Sequence, residues 1–149
     1  MIRDRELGTQ NQDLRVQDPR AELERHCNAV EEAYEFMLAY AAQGLAGDAG
    51  SQSGGQLREF LTRAVAAISA LPGLFSAVVE REALEPVERY RAFLAVIDGD
   101  AQSALAAMQL VLAQPSISSQ LVDNLNASIH LRALLTDLFL IDEILKRKG

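Results

Sequence analysis

The sequence predicts an all-α protein, and three observations support this prediction. Apolar residues recur at alternating spacings of three and four along most of the chain, which is the period of one helix face. The period-two alternation of β-branched residues that marks strands is missing. Proline and glycine divide the chain into four long segments, and this predicts an antiparallel up-and-down four-helix bundle.

The chain of 149 residues has the size of one domain. Residues 1–17 are polar and lack a period, so we expect a flexible N-terminal arm there. Residues 18–149 are expected to form a single helical-bundle domain. Hydrophobic residues make up 49% of the chain but tryptophan is absent, so its core is expected to be aliphatic and rich in alanine.

The first helix is predicted to begin at Asp18-Pro19, because aspartate caps helices and proline suits their first position. It is expected to run to about Gln43, with Gly44 just beyond its end. Residues 44–55 are rich in glycine and predict a flexible linker. No Lys-Ser/Thr pair ends this segment, so it does not match the phosphate-binding loop of nucleotide-binding proteins.

The second and third segments each contain one residue that can break a helix. The second begins near Gln56, and Pro72, which Gly73 follows, is expected to end or kink it. The third begins at Glu85-Pro86 and contains Gly99. A break at Gly99 would give two short helices, whereas the unbroken apolar spacing favours one long helix.

The last helix, predicted from about Ser119 to Lys146, has apolar residues on two nearly opposite faces. A surface helix needs only one apolar stripe, so a helix with two is either central in the fold or shared with another chain. We therefore expect part of it to form a protein interface. The predicted interface residues are Val122, Leu125, Ile129, Leu140, Ile141 and Ile144.

A row of polar residues lies between these two faces and provides the candidate ligand-binding site. The candidates are Asp123, Asn126, His130 and Asp137, with His26 from the first helix. Simple exposure to solvent, or a hydrogen-bonded polar layer within an interface, are alternative interpretations. The Glu-x-x-His motif of di-iron bundles is missing at both histidines. We predict no catalytic residue, no metal site and no cofactor.

The net charge of −7 predicts an acidic surface that repels nucleic acid. The one cysteine, Cys27, excludes an intramolecular disulfide and fits a cytoplasmic location. Charged residues interrupt the N-terminus, so no signal peptide is expected. The uncharged stretches 64–79 and 101–122 contain Pro72 and Pro115, so neither is expected to span a membrane.

Two functions remain open on the sequence alone. The favoured one is a non-enzymatic helical-bundle protein that acts through protein–protein contacts, as a homodimer or with another protein partner. The alternative is a bundle that binds a small molecule or a metal, such as a sensor domain or an uncharacterised enzyme. The doubly apolar last helix supports the first hypothesis, and the polar row supports the second.

Overall fold

Five helices pack against one another in the computed structural model, which describes residues 18–148. All regular secondary structure within this range is helical, so the predicted fold class is confirmed. The predicted arm, residues 1–17, lies outside the described residues. The helices are α1 (Pro19–Ala42), α2 (Gln52–Arg81), α3 (Val87–Leu112), α4 (Ser119–Ala127) and α5 (Ile129–Lys148).

The predicted ends of α1 are confirmed. The Asp18 carboxylate accepts a hydrogen bond from the backbone N of Ala21 at 3.4 Å, and Pro19 is the first helical residue. Beyond the helix, Gly44 has a φ of +66°, a left-handed conformation that glycine adopts without strain. Local capping chemistry is therefore enough to bound this helix.

Helix α2 begins at Gln52, four residues before its predicted start. Ser51 caps it, because its hydroxyl accepts a hydrogen bond from the backbone N of Gly54 at 3.0 Å. The sequence predicted that Pro72 would end or kink this helix, and the structure excludes the end, because α2 continues to Arg81. A proline removes one backbone donor, whereas α2 buries apolar residues on both sides of it. Helix α3 runs through Gly99, which confirms the long helix.

The predicted last helix is divided in two at Ser128, so five helices are present rather than the four predicted. Ser128 has an extended backbone, with φ −61° and ψ 132°. Its N–H donates to Leu125 O at 3.1 Å and ends α4. Its hydroxyl accepts from the backbone N of His130 at 3.2 Å and starts α5. The prediction of one helix from Ser119 to Lys146 was wrong.

This break explains why the last segment has two apolar faces in the sequence. Val122 and Leu125 on α4 are buried, and so are Leu131 and Leu134 on α5. These residues would lie on opposite sides of a straight helix, but the turn at Ser128 directs both sets into one core. Helix α4 packs mainly against α1, whereas α5 packs mainly against α3.

We expect a Ser128→Ala variant to unfold with a free energy about 1 kcal/mol lower, because it loses the side chain that accepts the first N–H bond of α5. Urea denaturation followed by circular dichroism measures this loss. Ser69→Ala provides the control, since Ser69 is exposed in the middle of α2. Equal stability of the two variants would contradict the capping role of Ser128.

Helices α1 and α2 run in opposite directions, because the start of one lies beside the end of the other. At one end, Arg20 at the start of α1 pairs with Glu82, directly after α2, at 2.8 Å and donates to Leu145 O near the end of α5 at 3.1 Å. At the other end, the buried Tyr40 hydroxyl donates to Ile117 O at 2.8 Å. These hydrogen bonds join α1 to α5 at one end and to the segment before α4 at the other.

Within the described range, α2 is the one helix that is long and apolar enough to span a membrane, with a mean hydropathy of 1.5 over 18 residues. Its continuity through Pro72 removes one reason for excluding a span. The indication is weak, because the core helix of a soluble protein passes the same test. Leu57, Leu61 and Leu71 of this helix are fully buried in the core.

Candidate functional site

Three of the five predicted ligand-binding residues lie apart from one another. Asp123 on α4 and His130 at the start of α5 are exposed. His26 on α1 is partly exposed, with Nε2 3.8 Å from Glu22 Oε2. No three His, Cys, Asp or Glu side chains between residues 18 and 148 are grouped so that they could hold a metal ion. The structure therefore does not bring these three residues into one site.

Asn126 is buried and joins α4 to α1. Its Nδ2 donates a hydrogen bond to Met37 O at 3.1 Å, and its side chain is 5% exposed. Its Oδ1 is buried with no hydrogen-bond partner among the described residues. Since an unpaired buried oxygen costs stability, the contact with Met37 has to offset that cost. Asn126 therefore helps to hold α4 against α1, and it bonds to a backbone carbonyl and not to another predicted ligand-binding residue.

Asp137 is buried between α5 and α3, where it faces Asp100. Burial, followed by the hydrogen bond and the charge of Asp100, raises the pKa of Asp137 to about 7. Asp137 Oδ2 has no donor as long as both carboxyls are ionised. A proton on one of them supplies that donor, because a protonated carboxyl can donate to its ionised neighbour. This pair can hold one proton near neutral pH.

The six predicted interface residues are divided between core and surface. Ile129 is 73% exposed, Leu140 is 50% exposed, and Ile144 is partly buried. The other three belong to the core of the chain itself, and they are Val122, Leu125 and Ile141. Only the exposed members are free to meet another molecule without unfolding α4 or α5.

Sequence reasoning missed an ion pair that holds the glycine-rich segment. Asp48 accepts from Arg58 Nε at 2.5 Å and from the backbone N of Ile117 at 2.6 Å. Arg58 also donates to Leu112 O at 3.1 Å and to Gln114 O at 2.9 Å. The Arg58 guanidinium and the Ile117 N–H hold the pKa of Asp48 below its ordinary value, although burial opposes this.

The Asp48–Arg58 pair corrects the prediction of a flexible linker over residues 44–55. Gly54 belongs to α2 and packs directly under the backbone of Asp48, where a Cβ atom would overlap it. A signal was present in the sequence, since Asp48 and Arg58 are opposite charges with no charged residue between them. Their pairing was not predictable from helix spacing, because Asp48 lies outside any helix.

Cys27 is a partly buried neutral thiol. Burial, together with the charges of Glu31, Asp142 and Glu24, raises its pKa to about 12. The nucleophilic form of cysteine is the thiolate, so Cys27 is unreactive at neutral pH. The structure therefore places no activated nucleophile at this position.

Helix α3 has a second heptad-spaced stripe, which the sequence analysis also missed. All of its residues are exposed and none is charged. A side chain at Gly99 would contact nothing within 4 Å, so packing within the chain does not explain this glycine. The stripe is Ala92, Val96, Gly99, Ser103, Ala106 and Leu110. We call it the α3 outer stripe.

The α3 outer stripe contains two large side chains, Val96 and Leu110, which are 46% and 66% exposed. Asp98 is the one charged residue among the exposed positions from 92 to 113. Small, uncharged side chains allow the backbones of two helices to come close together. Comparison of the chain with protein-family models, with curated proteins and with solved structures finds no match.

Proposed function

We propose that this chain is a non-enzymatic protein that acts by binding a second copy of itself through the α3 outer stripe. In this proposal the subunit is an antiparallel four-membered bundle, and its fourth member is the bent pair α4–α5. The supporting observation is a continuous, uncharged and exposed helix face with two large aliphatic side chains. Exposed apolar surface of this kind usually marks an interface.

Helix α5 extends the proposed surface on one side. Asp100 and Asp137 face each other across α3 and α5, which run in opposite directions. Leu140 follows Asp137 by three residues, so it lies about one turn away on the side of Val96. Leu140 is 50% exposed. By the same geometry, the exposed Ile129 lies toward the Leu110 end of the stripe.

The charge of the chain favours this face for self-association. Two copies that each carry a net charge of −7 repel each other over most of their surfaces. The outer stripe itself carries no charge, and Asp98 is the one charged residue among the exposed positions from 92 to 113, so this repulsion is weaker there. A twofold axis brings the same patch of both copies together, so an uncharged patch is complementary to itself.

Sedimentation velocity at about 10–300 μM protein tests the proposal, and we expect a dimer with twice the mass of the chain. Ala106→Glu should weaken the dimer by about tenfold or more, because it places two carboxylates near the twofold axis. Ala66→Glu is the matched control, since Ala66 is an exposed alanine in the middle of α2. This control should dimerise as the natural chain does.

A natural chain that stays monomeric throughout the concentration range would overturn the proposal. Loss of the dimer in Ala66→Glu, with Ala106→Glu unaffected, would also overturn it by assigning the contact to α2. Circular dichroism spectra of both variants distinguish a lost contact from lost folding. Since both alanines are exposed, we expect helical content to be unchanged.

A further inference from the structure

A cleft lies between the first half of α1 and the second half of α5. It exists because the chain turns at Ser128: α4 packs against α1, whereas α5 packs against α3. At the far end, the hydrogen bond from Arg20 to Leu145 O closes the cleft again at 3.1 Å. The opening is therefore bounded by regular structure and not by loops.

The inner part of the cleft is narrow and mainly apolar, and its charged lining residues are Arg20, Glu24, Asp142 and Lys146. Its volume is about 60 Å³, enough for a few methylene groups. Four buried aliphatic side chains and the neutral thiol of Cys27 form the floor of this inner part. Burial of an alkyl chain here would contribute about 0.8 kcal/mol of binding free energy per methylene group. The floor residues are Leu23, Leu138, Ile141 and Leu145.

The mouth of the cleft is wider and acidic. It has a volume of about 320 Å³ and carries the carboxylates of Glu24, Glu31 and Asp142. Lys146 is the one cation that lines this mouth, with Nζ 3.1 Å from Asp142 Oδ2. Burial, and then the charge of Asp142, raises the pKa of Glu31. Three carboxylates and one ammonium group thus line the mouth, so its lining has an excess of negative charge.

We propose that this cleft binds a small primary alkylammonium compound. Its alkyl chain lies on the apolar floor, and its ammonium group lies at the mouth near Glu31 and Asp142. The acidic mouth opposes carboxylates and phosphates, because like charges repel in a partly desolvated site. A neutral alkyl compound would fill the floor but would gain nothing from the carboxylates.

A free alkylamine and a lysine side chain of a partner protein would enter the cleft with opposite ends first. A free alkylamine enters with its apolar end first and leaves its charge at the mouth. A lysine side chain carries its charge at the tip, so entry would place an ammonium group against Leu138 and Leu145. Burial of that charge without a partner is strongly unfavourable. We therefore assign the site to a small molecule.

Titration of the full ¹⁵N-labelled chain with n-hexylamine, followed by NMR chemical shifts, tests this proposal. Hexan-1-ol, hexanoate and Nα-acetyl-lysinamide are matched probes of similar length. We expect shifts confined to the first half of α1 and the second half of α5. Hexylamine should bind about tenfold or more tightly than hexan-1-ol, and the other two probes should not bind, since each places charge unfavourably.

The double variant Glu31→Gln, Asp142→Asn should weaken hexylamine binding by about tenfold and leave hexan-1-ol binding unchanged. Glu59→Gln is the control, because Glu59 is an exposed carboxylate on α2. Equal binding of hexylamine and hexan-1-ol would overturn the proposal, as would shifts outside the cleft. Hexylamine binding that survives the double variant would overturn it too. The dimer proposal does not depend on this result.

Discussion

An Asp48→Ala variant is expected to unfold with a free energy about 2–4 kcal/mol lower than that of the natural chain at pH 7. The Asp48 side chain is 10% exposed and accepts two hydrogen bonds of 2.5–2.6 Å, from Arg58 and from the backbone N of Ile117. Its removal leaves Arg58 Nε and Ile117 N without these acceptors, although Arg58 keeps its bonds to Leu112 O and Gln114 O. It also removes the contact between the loop that joins α1 to α2 and the Ile117 backbone, whereas the hydrogen bonds between Leu45 and Ser119 remain.

Urea denaturation at several pH values measures this effect. The pKa of Asp48 lies below its ordinary value of 3.8, so the unfolded chain takes up a proton first as the pH falls. The contribution of Asp48 is therefore complete above that value and is lost in stronger acid. The difference between variant and natural chain should narrow below about pH 4, as this proton linkage requires.

Asp123→Ala is the control for this prediction, because Asp123 is exposed on α4. Surface substitutions of this kind usually change the free energy of unfolding by less than about 0.5 kcal/mol. If Asp48→Ala were as mild as Asp123→Ala, the ion pair would not be what holds the loop.

The second large effect concerns the carboxyl pair of Asp137 and Asp100. The pKa of Asp137 is raised from an ordinary 3.8 to about 7, so the folded chain holds a proton that the unfolded chain releases between these values. The stability of the natural chain should fall as the pH rises through this window and level off above it. Since Asp100 is partly exposed and water screens its charge, we expect a fall of about 1–2 kcal/mol.

An Asp137→Asn variant should remove this dependence on pH. The amide stays uncharged and nearly isosteric, so the variant should be about 1–2 kcal/mol more stable than the natural chain at pH 8 and similar to it at pH 5. Urea denaturation at pH 5, 6, 7 and 8 makes the comparison. Asp98→Asn, an exposed residue of α3, is the control and should keep the natural pH profile. If the free energy of unfolding of Asp137→Asn fell with pH in the same way as that of the natural chain, the pair would not share a proton.

The local chemistry at both ends of α1 was readable from the sequence, and the predictions built on it are confirmed. Asp18, Pro19 and Gly44 bound α1 as expected, because a cap depends on residues only a few positions apart. The heptad spacing of α3 correctly favoured one helix over two at Gly99. Spacing alone reports which residues share a face, provided that the helix is unbroken.

The break at Ser128 shows where that condition fails. Ser128 lies among residues that all tolerate a helix, so only the change of apolar face between Leu125 and Leu131 marked it. That change was interpreted as a second face of a straight helix, which pointed to an interface. The bent pair instead buries Val122 and Leu125 in the core of the chain itself. The turn at one capping residue, Ser128, thus places predicted interface residues in the core.

The candidate sites were less predictable than the fold, because they depend on residues far apart in the chain. Asp137 was named from the sequence, but its partner Asp100 was not, since α3 and α5 meet only in the folded chain. The same holds for Cys27 and Asp142 in the cleft.

The sequence by itself determined the all-helical class and both ends of α1, because period and capping are local properties. Only the tertiary structure decided that the chain turns at Ser128, so that α4 packs against α1 and α5 against α3, and that Asp137 meets Asp100. It also decided that the α3 outer stripe stays uncovered. The physical reason is that burial and electrostatic fields depend on which helices become neighbours, and no periodicity within one segment encodes that choice.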